Sequence, residues 1–171
     1  GIGRRQRQMC IRDRFIDDYN IKSDKSDRKL FSQFKKYKIF IAASTHETEE
    51  LFAAKTHILL KKKNKNIITI IIPRHINRVK QIITEISKLG LNIATRSSKK
   101  SKLKNIDIFV VDTFGETKKF YKIATTVFLG KSIIKGGGQN PLEPARFGAK
   151  ILHGPGVDNF KDVYKYLSKL K

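Results

Sequence analysis

The sequence predicts an α/β domain in which a parallel sheet is covered by helices on both faces, a Rossmann-like arrangement. Three observations carry that prediction. Short β-branched runs alternate with segments of helical periodicity from about residue 38 to the end. The strands are apolar along their whole length rather than at every second position, as strands buried on both faces require. Finally, 171 residues with 39% hydrophobic side chains suffice for one sizeable core and leave little room for a second.

The elements follow in order. Residues 1–14 are rich in Arg and Gln, and the run Arg7-Gln8-Met9-Cys10-Ile11-Arg12-Asp13-Arg14 resembles the translation of a sequencing adapter. This stretch is expected to be disordered and takes no part in the fold reasoning. It holds the only Cys and the only Met, so the remainder offers no disulfide, thiolate nucleophile or cysteine metal ligand. Residues 15–37 are polar, centred on Ser23-Asp24-Lys25-Ser26-Asp27, and read as a linker; residues 38–171 are then the folded domain.

Residues 38–43 form a first strand. Ser44-Thr45-His46-Glu47 has the spacing of a capping box and predicts a helix start. Glu47, Glu49 and Glu50 crowd the first turn of that helix and Lys61, Lys62 and Lys63 its last, the order that the helix dipole favours, with Leu51, Ala54 and Ile58 on one face. A strand over 66–72 and a helix over 77–89 repeat the unit, the helix carrying Val79, Ile82, Ile83 and Ile86 before Gly90 ends it. Strands at 91–94, 107–111, 126–129 and 150–153 alternate with helices at 116–124, 141–147 and 159–170.

Ligands of such folds bind beyond the carboxyl ends of the strands. Four segments fall there: Ser44-Thr45-His46-Glu47, Pro73-Arg74-His75, Asp112-Thr113-Phe114-Gly115-Glu116, and Gly136-Gly137-Gly138-Gln139-Asn140-Pro141-Leu142-Glu143-Pro144. In the fourth, glycines would let the backbone approach an anion, and the following helix would offer free amides and the positive end of its dipole. Asn140 reads as an N-cap and Pro141 suits the first helical turn. Glu143 would repel a phosphate unless it is occupied otherwise, and ribose hydroxyls are a natural partner. Among the histidines, His57 and His153 read as structural, His75 as a helix starter, and His46 as the one placed for function. No cluster of His, Asp or Glu has the spacing of a metal site.

The net charge of +22 raises the question of nucleic acid. Without residues 1–14 it is +18, mostly lysine scattered among Ile and Asn, which reads as a solvated surface with a possible attraction to an anionic membrane. The aromatic residues fall at expected core positions and form no stacking platform, so a nucleic-acid-binding module is the weaker reading. The longest apolar run, Ile67–Pro73, is far too short to cross a bilayer and is interrupted by Thr69, and the start has no secretory pattern; a cytoplasmic location is expected.

The four segments, in this order and at this spacing, resemble the sequence blocks of the transferases that attach 3-deoxy-D-manno-octulosonic acid (Kdo) to lipid A precursors, and Asn20-Ile21-Lys22 resembles the run ahead of their C-terminal domain. The resemblance covers about residues 19–171. It implies the C-terminal, donor-binding half of a GT-B glycosyltransferase, with CMP-Kdo as donor, a lipid A precursor as acceptor and no cofactor. By carry-over, Pro73 and Arg74 contact cytidine, Phe114, Gly115 and Glu116 line the nucleotide pocket, and Asn140, Pro141, Leu142 and Glu143 hold phosphate and ribose. His46, Gly137, Gly138 and Gln139 are further candidate contacts to the donor. Phe114 stands where the family often has Met, and Gln139 where many members have His. The general base is expected in an N-terminal domain outside this sequence, at the cytoplasmic face of the bacterial inner membrane. A GT-B transferase or epimerase with a uridine donor is the alternative, against which the Pro-Arg-His block counts.

Overall fold

The computed structural model describes residues 25–98 and 103–169. The adapter-like start and Asn20-Ile21-Lys22 lie outside the described residues. Among the described residues, six strands make one wholly parallel sheet: β1 (Lys38–Thr45), β2 (Ile67–Pro73), β3 (Ile93–Thr95), β4 (Ile108–Val110), β5 (Thr126–Leu129) and β6 (Lys150–Leu152), in the spatial order β3-β4-β2-β1-β5-β6. The chain winds outward from β1 through β2 towards β4 and β3, then returns to place β5 on the other side of β1. The carboxyl ends of β1 and β5 therefore flank the topological switch point, the place where such sheets open a crevice.

Both faces are covered. Helices α2 (Glu49–Lys63) and α3 (Val79–Ser87) pack Ala53, Ala54, Val79, Ile82 and Ile86 against Phe40, Ala42, Ile71 and Val110. The opposite face joins Ile39, Ile41, Ile70, Phe109 and Val127 to Phe34 of α1 (Lys25–Phe34) and Phe120 of α4 (Thr117–Tyr121). Tyr164 of α6 (Lys161–Ser168) lies on this face too. Among the described residues, no helix is long and apolar enough to cross a membrane.

Three sequence expectations change. Where a linker is expected, residues 25–34 form α1, and Phe34 is only 1% exposed, with its ring 5.4 Å from that of Phe109. The polar composition hid this because α1 shows the core only a narrow stripe. In α2 the buried stripe is Glu50, Ala53, Ala54 and His57, with Leu51 and Ile58 half-buried, since the small alanines let the helix sit close to the sheet. The Ser44–Glu47 capping box is not made. A register shift between Ala43 and Thr45 and a left-handed Ser44 (φ 54°) carry the chain further, and α2 starts after Thr48, itself left-handed at φ 73°.

His57 is structural, as expected. It is fully buried, Nδ1 pairs with the Thr69 hydroxyl at 2.9 Å, and Nε2 faces Asp107 Oδ1 at 3.4 Å without an aligned hydrogen bond. Burial lowers its pKa, outweighing the pull of Asp107, so the ring is neutral. Asp107 pairs with Lys61 and accepts from the Asn92 amide at 3.0 Å. Burial pushes its carboxyl up, but those bonds and the nearby positive charge hold it below its usual range.

Candidate functional site

All four segments emerge at the carboxyl edge of the sheet, after β1, β2, β4 and β5. With strands about 4.8 Å apart, the edge from β4 to β5 spans roughly 14 Å. The β1 and β2 loops are tied directly, since the Arg74 amide donates to the Thr45 carbonyl at 3.0 Å and the rings of His46 and His75 stand 5.8 Å apart, edge to face. Pro73 is buried, whereas Arg74 and His75 are exposed. His75 precedes a 3-10 turn, Ile76–Arg78, and its carbonyl accepts the Arg78 amide, in keeping with a helix starter.

At the switch point a cavity of about 260 Å³ lies between the β1 and β5 loops. His46, Glu47, Thr48 and Glu49 line one side; Lys131, Ile133, Ile134, Lys135, Gly136 and Gly137 line the other. His46 and Gly137 thus share one cavity, while the His46 ring is steadied by an Nδ1 contact to the Ser44 carbonyl at 3.1 Å. Glu49, 3% exposed, accepts the amides of His46 (2.9 Å), Lys131 (2.8 Å), Ser132 (3.2 Å) and Ile133 (3.4 Å). Glu50, 2% exposed, accepts from the Thr45 hydroxyl at 3.1 Å and from Arg78 at 3.0 Å. Sequence reading took both glutamates for dipole partners of the helix. The signal available was a pair of adjacent carboxylates in the first turn of a helix that packs on the sheet, where any that is buried needs partners.

The glycine loop differs from expectation. Two of its amides serve the protein: Gly136 donates to Asp158 at 2.8 Å and Gly138 to the Lys131 carbonyl at 2.6 Å. A Cβ on Gly137 would collide with the Lys131 carbonyl, so this glycine is needed for backbone packing rather than for an open cradle. The helix that follows, α5 (Leu142–Ala145), is a single turn and supplies little dipole. The N-cap position falls on Pro141 and not on the expected Asn140, which stands one residue ahead and accepts the Leu142 amide through Oδ1 at 3.0 Å. Pro141 and Leu142 are buried and Gln139 and Glu143 half-buried.

On the β4 side, Phe114 is 84% exposed and Gly115, at φ 73°, is exposed beside it. The Glu116 carboxylate is committed to the protein: Arg96 binds it through Nε at 3.0 Å, and Thr113 and Lys119 donate to it as well. Burial raises the Glu116 pKa, but the bonds from Arg96 and Thr113 bring it below the ordinary carboxylate value. Arg96 and Lys119 both also pair with the buried Asp27 of α1, at 2.6 and 2.7 Å. Glu116 can therefore offer a ligand its backbone, while its carboxylate holds α1 and α4 together.

Fold and site together define a Rossmann-like α/β domain with an open switch-point crevice. By sequence, the chain is a homologue of the 3-deoxy-D-manno-octulosonic acid transferases. It is 32% identical over 133 residues to the Haemophilus influenzae enzyme, covering 78% of this chain and 31% of that one. The Rickettsia felis enzyme is 35% identical over 80% of this chain and 29% of its own length. A probable mitochondrial enzyme of Arabidopsis thaliana is 30% identical over 90% of this chain and 35% of its own. The chain thus spans about a third of these relatives. Among solved structures, the C-terminal CMP-Kdo binding domain of WaaA from Acinetobacter baumannii has the same fold, with a TM-score of 0.76 at 23% identity over 84% of this chain and 76% of that one. No family model matches.

Proposed function

We propose that this domain binds CMP-Kdo and forms the donor half of an inverting transferase that passes Kdo to a lipid A precursor. The observation that supports the reading is that the four segments shared in order with the family emerge together at one sheet edge, two of them walling the switch-point cavity. In this reading Arg74 and the backbone at Phe114, Gly115 and Glu116 receive the cytidine. The side-chain nitrogen of Asn140, left over once Oδ1 has accepted the Leu142 amide, donates to phosphate. Glu143 takes ribose hydroxyls. His46, with Lys131 and Lys135, faces the charged end of the donor. These groups would stabilise the negative charge that builds on the departing CMP, an electrostatic contribution that requires no metal. The general base belongs to a partner domain, and the lysine-rich surface draws the enzyme to an anionic membrane.

Calorimetric titration with CMP, deoxy-CMP and UMP tests the proposal. CMP should bind more tightly than either, and Glu143→Gln should weaken CMP by about 1.5–3 kcal/mol, the range for hydrogen bonds to charged groups, without altering deoxy-CMP. Equal affinity for CMP and UMP would sink the assignment of the donor, and equal affinity for CMP and deoxy-CMP would remove the ribose role of Glu143.

A further inference from the structure

The Lys131–Ile133 segment has the form of an anion nest: three successive amides converge on one point at the carboxyl end of β5. That point is already filled, by the carboxylate of Glu49. The carboxylate reaches it because position 130 is glycine; a Cβ there would stand 2.7 Å from Glu49 Oε2. A fourth amide, that of His46, closes the set from the β1 side. The linkage then continues, because the carbonyl of Lys131, itself left-handed at φ 53°, accepts the Gly138 amide at 2.6 Å. One buried side chain thus determines where three site components lie: the His46 backbone, the Lys131 backbone and the glycine loop. Its four amide bonds also stabilise its negative charge and turn it towards the main chain, at the floor of a cavity that in the donor-binding reading accepts an anion.

From this we infer that Glu49 is a positioning residue for the donor site, acting through the β5 loop and not by touching the nucleotide sugar. The inference rests on the donor-binding reading above. It assigns the amides of Lys131–Ile133 to the protein, so the donor's phosphate and sugar carboxylate are held by side chains of the cavity wall and not by this nest.

Glu50 is the matched control: it is equally buried and adjacent in sequence, but its partners Thr45 and Arg78 lie outside the cavity lining. In the chain as it stands, Glu49→Gln should weaken CMP-Kdo binding at least tenfold, because an amide can accept from only part of the set and places its own donor against the rest. Glu50→Gln should change it less than about twofold, even if both variants lose similar stability. In NMR spectra the amide resonances of Lys131 and Ser132 should move strongly in Glu49→Gln and hardly at all in Glu50→Gln. Should Glu49→Gln fail to fold, hydrogen exchange of the unaltered chain still decides: the Lys131 amide should be protected although its side chain is exposed. Rapid exchange there, or equal loss of affinity in the two variants, overturns the inference. Absence of CMP-Kdo binding by the unaltered chain would count against the donor reading alone, since the amide shifts and exchange test the clamp independently.

Discussion

The two ends of the carboxyl edge are organised by opposite means. Beside β1 and β5, one buried carboxylate binds four backbone amides, and three residues, Ser44, Thr48 and Lys131, sit in the left-handed region without being glycine. Beside β3 and β4, four charged side chains pair with one another, Asp27 and Glu116 with Arg96 and Lys119, and the left-handed position at Gly115 carries no Cβ to strain. A carboxylate on amides fixes the path of the main chain. Ion pairs between side chains fix which helices stay together and leave the local backbone free. The β1/β5 end is therefore the shaped end, and the β4 end the adjustable one, where the proposed function would have Phe114 and Gly115 meet the base.

The largest expected effect breaks the ion-pair end. Asp27→Ala removes the buried member shared by Arg96 and Lys119 and should cost about 3 kcal/mol, the low end for breaking a buried pair because both cations are partly exposed and keep Glu116. Urea unfolding measures this, and CMP affinity should hold. A loss below about 1 kcal/mol would mean that α1 is held by Phe34 and its neighbours alone.

Acid should act next, through Glu116 at the same end and through Asp107 at the amino end of β4. Glu116 and Asp107 have pKa values lowered by folding, so their contribution is complete above the unfolded carboxylate value, about 4.3 and 3.9, and disappears as pH falls through the folded values. Lys119 is raised by its bonds to Asp27 and Glu116, so its contribution is complete below about pH 10.4 and is lost as pH rises through the folded value. His57, whose folded pKa is lowered by burial, contributes fully only above its unfolded value of about 6.5. The urea midpoint should accordingly be flat between about pH 7 and 10 and fall above that range; below it, the midpoint should fall gently as the buried ring resists protonation, and further as the carboxylates titrate. In Glu116→Gln the acid limb should become shallower; an unchanged limb would remove the network from the account.

The smallest effect concerns the shaped end. Thr48 is β-branched at φ 73°, a conformation that costs on the order of 1–3 kcal/mol, so Thr48→Gly should gain a net ~1 kcal/mol after the added freedom of the unfolded chain is counted. A lower melting temperature in that variant would show that Thr48 is not strained, and the contrast between the two ends would narrow.

What the sequence by itself determined was the alternation, the parallel sheet and the placement of the four segments. Each rests on local periodicity and on the turn chemistry between elements. Its reading of His57 as structural also held, because it depends on simple burial. Tertiary structure alone decided the rest. Glu49 meets Lys131–Ile133 across more than eighty positions, and Asp27 reaches Arg96 and Lys119 from a helix whose polar composition reads as a linker. Whether a carboxylate becomes a helix-dipole partner, a clamp or half of an ion pair depends on which backbone or cation the fold brings to it. That is set by strand order, and strand order leaves no local trace in the sequence.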